Sequence, residues 1–202
     1  MRRLKLVFIA MICAAGIFYV LQMPANPKFV IFMANKGVPQ WTYMAGKSVC
    51  EGAITEASLS DGINWISKAA DDGVAEAQRD MSIALWFGAL NKCTLESNRD
   101  KAFVYALAAA TNNDVTAQVL LSGYFDIGTE SIAVNSEKSF KWAMMAAKNG
   151  SALGQRVVAR KYEDGIGVTS SISEARHWYE QAASNGDTVA KVRLLELTAH
   201  QE

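Results

Sequence analysis

Between Glu174 and Asp187 the apolar and polar residues alternate with the period of a helix. Ala175, Trp178, Ala182 and Ala183 fall at steps of three, four and one, on one side of a helix. Asn185-Gly186 then supplies the left-handed residue that commonly ends a helix. The same pattern recurs four more times, at steps of 36, 37, 40 and 36 residues toward the N-terminus. An aromatic column runs through Phe29, Trp65, Tyr105, Trp142 and Trp178, and an alanine column through Ala34, Ala70, Ala110, Ala147 and Ala183. A stop column holds Gly37, Gly73, Asn113, Gly150 and Gly186, and a second glycine column follows 15 residues later at Gly52, Gly88, Gly128 and Gly165. Two helices per unit, each ended by glycine or asparagine, account for all four columns. The alanines let helix backbones approach, and the aromatics fill the wider gap beside them. One such pair cannot bury its apolar face alone, so successive pairs are expected to stack. The expected fold is an all-α, right-handed solenoid of about five helix-turn-helix units, near 27–60, 61–100, 101–137, 138–173 and 174–202.

The pattern A-x-x-W-x-x-x-A-A-x-x-G, followed by A-x(10)-G, resembles the Sel-1-like repeats, a tetratricopeptide-like class of helical repeat. The fourth unit running into the fifth matches best: Trp142, Ala146, Ala147 and Gly150, then Tyr162-Glu-Asp-Gly165-Ile-Gly167-Val168, then Glu174-Ala175 and Trp178. The resemblance covers roughly Pro27 to Glu202. The chain departs from the pattern in three places. Asn91–Asn98 lengthens a loop, Phe29 replaces the larger aromatic, and Gly154 stands where Ala77, Ala117 and Ala190 stand. The resemblance implies protein–protein interaction and no catalysis.

The N-terminus is organised differently. Arg2, Arg3 and Lys5 precede an apolar run from Leu6 to Leu21, extending to Met23. That length is at the lower edge of a membrane-spanning helix. The flanking cations would hold the N-terminus in the cytoplasm and send the rest across. No small-x-small cleavage site stands at the end of the run. Met23-Pro24-Ala25 has a large residue three before the cut, and Cys13-Ala14-Ala15 comes too early. Residues 1–23 are therefore read as an uncleaved signal-anchor of the bacterial inner membrane, with residues 24–202 as a periplasmic repeat domain. The alternative is a cleaved signal peptide and a soluble periplasmic protein. Pro24 and Pro27 separate the two parts, so the repeats begin close to the membrane.

Charge and motifs remove several function classes. Without Arg2, Arg3 and Lys5 the chain has 17 basic against 20 acidic residues, and no basic stripe with interleaved aromatics, so nucleic acid is not an expected partner. The two histidines, His177 and His200, have no metal ligand at a useful spacing, and no metal or cofactor is expected. There is no C-x-x-C, H-E-x-x-H, P-loop or G-x-S-x-G. Gly165-Ile166-Gly167 follows a helix rather than a strand, and so reads as a repeat loop. The carboxylate pairs Asp71-Asp72 and Glu163-Asp164 read as solvated loop ends. Cys50 and Cys93 fall at the same end of adjacent units. In an exported domain they could form a disulfide; otherwise they are two small unpaired apolar residues. Some cysteine-rich relatives in this repeat class bind or hydrolyse penicillin, but they carry a regular disulfide within each repeat. That pattern is not met here.

What distinguishes the units is the first helix around its aromatic. The second unit offers Ile63, Asn64, Ser67 and Lys68, and the fifth offers Arg176, His177, Glu180 and Gln181. The middle units offer Phe103, Val104, Leu107 and Ala108, then Phe140, Lys141, Met144 and Met145. Consecutive methionines make an adaptable surface of the kind that partner grooves use. The candidate partner-binding residues are therefore Phe103, Val104, Leu107, Phe140, Lys141, Met144, Met145 and His177. For Phe103 and Phe140 deeper packing is the favoured alternative, and for Met144 and Met145 packing and binding stand level. The partner class is a protein. Among anchored or secreted members of the class, immunity proteins against secreted toxic effectors and regulators of sensor proteins are the specific candidates. A cell-envelope scaffold is the structural alternative.

Overall fold

The computed structural model describes residues 26–199. The expected anchor at residues 1–23, with its membrane contact through 6–23, and His200 lie outside the described residues. Within them ten α-helices form five antiparallel pairs. The pairs are α1 (Pro27–Asn35) with α2 (Pro39–Glu51), α3 (Leu59–Asp71) with α4 (Ala75–Phe87), and α5 (Arg99–Thr111) with α6 (Val115–Ile127). They continue with α7 (Ser136–Lys148) and α8 (Ala152–Asp164), then α9 (Ile172–Ser184) and α10 (Thr188–Ala199). Each helix packs on the next in sequence, so the chain is a helical-repeat solenoid.

Local chemistry sets the helix boundaries. Ser58, Asn98, Asn135 and Ser171 cap the first helices of units two to five, each side-chain oxygen accepting from the backbone N–H three residues on. Pro27 and Pro39 occupy first-turn positions, where the missing N–H leaves no gap. The stop columns all have positive φ, and Asn113, at φ 64°, adopts in the third unit the left-handed conformation that glycine adopts in the others.

The alanine column is buried at Ala34, Ala70, Ala110 and Ala147, and half-buried at Ala183 in the final pair. Its aromatic companions are uneven. Tyr105 is buried, Trp65, Trp142 and Trp178 are half-buried, and Phe29 is exposed with only an edge contact to Trp41 at 5.4 Å. Phe29 belongs to the outermost pair, where no preceding described unit covers it.

A second pair of columns, not anticipated from the sequence pattern, sets the spacing between units. Gly46, Ser82, Ser122 and Ala159 on the second helices run with Gly62, Ala102, Ser139 and Ala175 on the following first helices, and all eight are buried. A Cβ on Gly46 would stand 2.6 Å from the Gly62 carbonyl. Ser139 Oγ donates to the Ser122 carbonyl at 2.8 Å. Gly154 also has a steric reason: its missing Cβ would lie 2.8 Å from Ala146 Cβ.

The all-α expectation needs one amendment. Within the long loop, Ala89–Leu90 (β1) and Cys93–Thr94 (β2) pair antiparallel, with Asn91 at positive φ in the turn. Cys93 is joined to Cys50 at the end of α2 by a disulfide with Cα atoms 5.1 Å apart. The Lys92 N–H donates to the Cys50 carbonyl at 2.9 Å. The insertion is thus a strap that ties the second unit to the first.

Candidate functional site

The first helices present one exposed face each, because residues at steps of three and four share a side of a helix. On α5 that face is Lys101, Val104, Ala108 and Thr111, with Leu107 alongside; on α7 it is Lys138, Lys141, Met145 and Lys148. Val104 is 63% exposed, Met145 44% and Leu107 39%, while Lys141 and His177 are also exposed. These residues are at the surface where the sequence places them.

Three other candidates are elsewhere. Phe103 is only 9% exposed and sits edge-on to Phe125 at 5.3 Å, so it belongs to the core between units rather than to a binding face. Phe140 is half-buried against Tyr162, again edge-on at 5.3 Å. Met144 is half-buried in the apolar cluster of Ala143, Ala147 and Val158. Phe103 and Val104 are consecutive, and the turn of α5 about its axis from one residue to the next sends the first inward and the second out. The consecutive methionines divide in the same way. His177 stands edge-on to Trp178 at 5.6 Å, on the fifth unit.

Beside this face lies a shallow open depression of about 500 Å³, lined by Glu137, Phe140, Lys141, Gly167, Val168 and Thr169. It forms because the α8–α9 loop runs against the start of α7. The Gly167 backbone approaches the Ser136 carbonyl so closely that a side chain there would collide with it. The second glycine of Gly165-Ile166-Gly167 therefore serves helix–loop packing.

The carboxylate pairs read as solvated loop ends are corrected in part. Asp71 accepts from the Tyr105 hydroxyl of the next unit at 2.5 Å. Glu163 accepts from the Tyr179 hydroxyl at 2.8 Å and from the Arg193 guanidinium. Asp71, Asp72 and Asp164 are exposed, and only Glu163 is half-buried. Burial and the Asp71 hydrogen bond push the Tyr105 hydroxyl up to about 12. Hydrogen bonds from Arg193 outweigh burial and hold Glu163 below the usual carboxylate range. Through these bonds Asp71 and Glu163 tie neighbouring units together.

Other ties between units also escaped the sequence pattern. Gln78, Gln118 and Gln155 occupy one column and donate to the carbonyls of Ala70, Ala110 and Ala147. Asn149 and Asn185 then donate to Gln118 and Gln155 at 3.0 and 2.9 Å, extending the chain into the next unit. The buried Lys161 ammonium meets Asp126 at 2.8 Å, and Arg156 meets Asp187 at 2.7 Å. The glutamine column has a regular period and could have been read. Arg156–Asp187 is likewise repeated two units earlier as Arg79–Asp114, whereas Lys161–Asp126 has no such equivalent and left no trace. Among the described residues no group of three or more His, Cys, Asp or Glu is placed to hold a metal, and no helix is long and apolar enough to cross a membrane.

The Sel1 repeat sequence profile matches residues 42–74, 75–114, 115–151 and 152–187, each match running from the second helix of one pair into the first helix of the next. No curated protein matches the chain. Among solved structures, the chain is similar to the protective antigen c5321 of uropathogenic Escherichia coli, which displays an SLR fold. The identity is 25% and the TM-score 0.73, over 82% of this chain and 34% of that one. It is also similar to a Sel1 repeat protein from Oxalobacter formigenes, at 26% identity and TM-score 0.71, over 85% of this chain and 48% of that one. This chain thus spans between a third and a half of the length of those two proteins. The cysteine rich protein B of Helicobacter pylori shares the fold, at 20% identity and TM-score 0.52, over 67% of this chain and 94% of that one.

Proposed function

Because the chain belongs to the Sel1 repeat family, whose members are protein-interaction modules, we propose that it binds a protein partner through the exposed face of α5 and α7. The observation that carries this reading is the row of Val104, Leu107 and Met145, exposed on first helices whose equivalents in α3 and α9 are polar. Solvent-facing helix positions are ordinarily polar, and contiguous apolar exposure marks interaction surfaces. The reading includes an inner-membrane anchor at residues 6–23 and a domain facing the periplasm. The buried Cys50–Cys93 disulfide supports that placement, because such bonds persist in oxidising compartments. Within it, neutralising a toxic effector is the specific form we propose, with no catalytic step.

The test is photo-crosslinking in cells. A photoreactive residue at Val104 or Met145 should trap a discrete protein adduct, and one at Thr116, exposed on a second helix, should not. Identical yields from all three positions would remove the face from consideration. For the effector reading, deletion should sensitise cells to toxin-delivering siblings, and equal survival would sink it.

A further inference from the structure

The α5–α7 face differs from the equivalent faces of α3 and α9 in charge as well as in polarity. Lys101 lies one turn before Val104 on α5, and Lys138, Lys141 and Lys148 lie on the same side of α7 as Met145, with Lys68 of α3 at the position equivalent to Ala108 and Met145. Among the described residues none of these five lysines is in an ion pair. Two nearby carboxylates are engaged by hydroxyls rather than by these lysines: Asp71 accepts from Tyr105, and Asp100 from Thr129 and Ser131. The acids near the face are Asp71 and Asp72 at the end of α3, Asp100 in the first turn of α5 and Glu137 in the first turn of α7; Asp71, Asp72 and Glu137 are exposed. Outside the N-terminal segment the chain has 20 acidic against 17 basic residues, whereas here five lysines outside any ion pair, two of them over the rings of Tyr105 and Phe125, outnumber the four carboxylates and give the face the opposite sign.

Resting on the reading that this face binds a protein, we infer that its partner presents an acidic amphipathic helix. Apolar anchors on one side of that helix would cover Val104, Leu107 and Met145, and flanking Glu or Asp residues would meet the lysines. A charge frame of one sign selects partners of the other and speeds encounter, while the apolar centre supplies the desolvated contact. The exposed surface consists of helix sides, which offer no unpaired strand edge for an extended peptide to join. Helix-against-helix docking through side chains at steps of three and four fits it better. Lys138 and Lys148 are ten residues apart on α7, about 15 Å along the axis at 1.5 Å per residue. That distance spans nearly three turns of a docked helix.

The test uses the full chain in phosphatidylcholine nanodiscs and two labelled synthetic peptides of about five helical turns. Both carry a leucine face; one has glutamates on its polar face and the other lysines. Fluorescence anisotropy should show saturable binding of the glutamate peptide, about tenfold tighter than the lysine peptide and weakening with added salt. Lys138→Glu/Lys141→Glu should reverse the preference, and the milder Lys138→Gln/Lys141→Gln should abolish it, each with unchanged helicity by circular dichroism. Equal or tighter binding of the lysine peptide, no saturable binding of either peptide, or an unchanged ratio in both variants would overturn the acidic-helix inference. An adduct at Val104 or Met145 in cells, with no charge preference for peptides, would keep the face and remove its proposed partner chemistry. Absence of that adduct would remove the face itself.

Discussion

The two ends of the solenoid hold their units together by different chemistry. Between the first and second units the ties are mainly a disulfide, the hairpin strap, and the touching backbones of Gly46 and Gly62, beside one hydrogen bond from the Tyr43 hydroxyl to Asp80 at 2.9 Å. Toward the C-terminus the equivalent ties are ionic and polar. They are Lys161 with Asp126, Arg156 with Asp187, Arg193 with Glu163, and the amide relay from Asn185 to Gln155. Both ends keep the same repeat pattern, so the repeat fixes where units meet and leaves open how each junction is held. Because repeats contact mainly their neighbours, damage at one junction should stay local.

That contrast can be broken most strongly at the disulfide. Cys50→Ala/Cys93→Ala opens a link between residues 43 apart in sequence, and chain entropy puts the loss at about 4 kcal/mol. Hydrogen exchange should accelerate in α1–α4 and remain unchanged in α7–α10. Uniform acceleration along the chain would show that the ends are not independent. Next in size is Asp126→Ala, which leaves the buried Lys161 ammonium uncompensated and should cost about 3 kcal/mol, the low end for such a loss because Asp126 is itself partly exposed. Asp126→Leu/Lys161→Met should recover most of that loss, and a double-mutant cycle on chemical unfolding measures it.

Smaller effects are expected where glycines allow close approach. Gly46→Ala meets the fixed backbone carbonyl of Gly62, and Gly154→Ala meets the Ala146 methyl. Each should cost about 1–3 kcal/mol by overpacking; both meet backbone atoms, and Gly46 is the worse because its nearest contact is closer, 2.6 Å against 2.8 Å. Equal midpoint shifts would undo that ranking. The mildest perturbation is acid. Glu163 and Asp187 have folded pKa values below their ordinary 4.5 and 3.8, so the stability they contribute is present above those values and lost as pH falls through the folded ones. For Asp187, burial opposes the shift, but the Ala190 N–H and Arg156 outweigh it. Lowering the pH below 4.5 should therefore loosen α9 and α10 before it affects the stapled α2–α4 junction. Exchange rates that rise first at the stapled end would contradict the assignment.

The sequence alone determined the number of units, the helix that each aromatic and alanine belongs to, and the residues that end each helix. Those features repeat at a fixed period because every internal unit faces the same neighbour geometry, so Trp142 and Trp178 must meet the same demand. The exposed members of the α5–α7 face were legible for the same reason: Val104, Leu107, Lys141 and Met145 differ from their column equivalents. Only the tertiary structure decided which of them turn outward. Phe103 and Val104 are adjacent and apolar, and the packing of α5 against its neighbours separates them. The same holds for the ion pairs that do not repeat. Lys161 and Asp126 lie 35 residues apart, and Arg193 and Glu163 lie 30 apart, so no single period links them. Periodicity reports contacts that every repeat must make, whereas these contacts are made once, by side chains long enough to reach across a junction that the fold has already built.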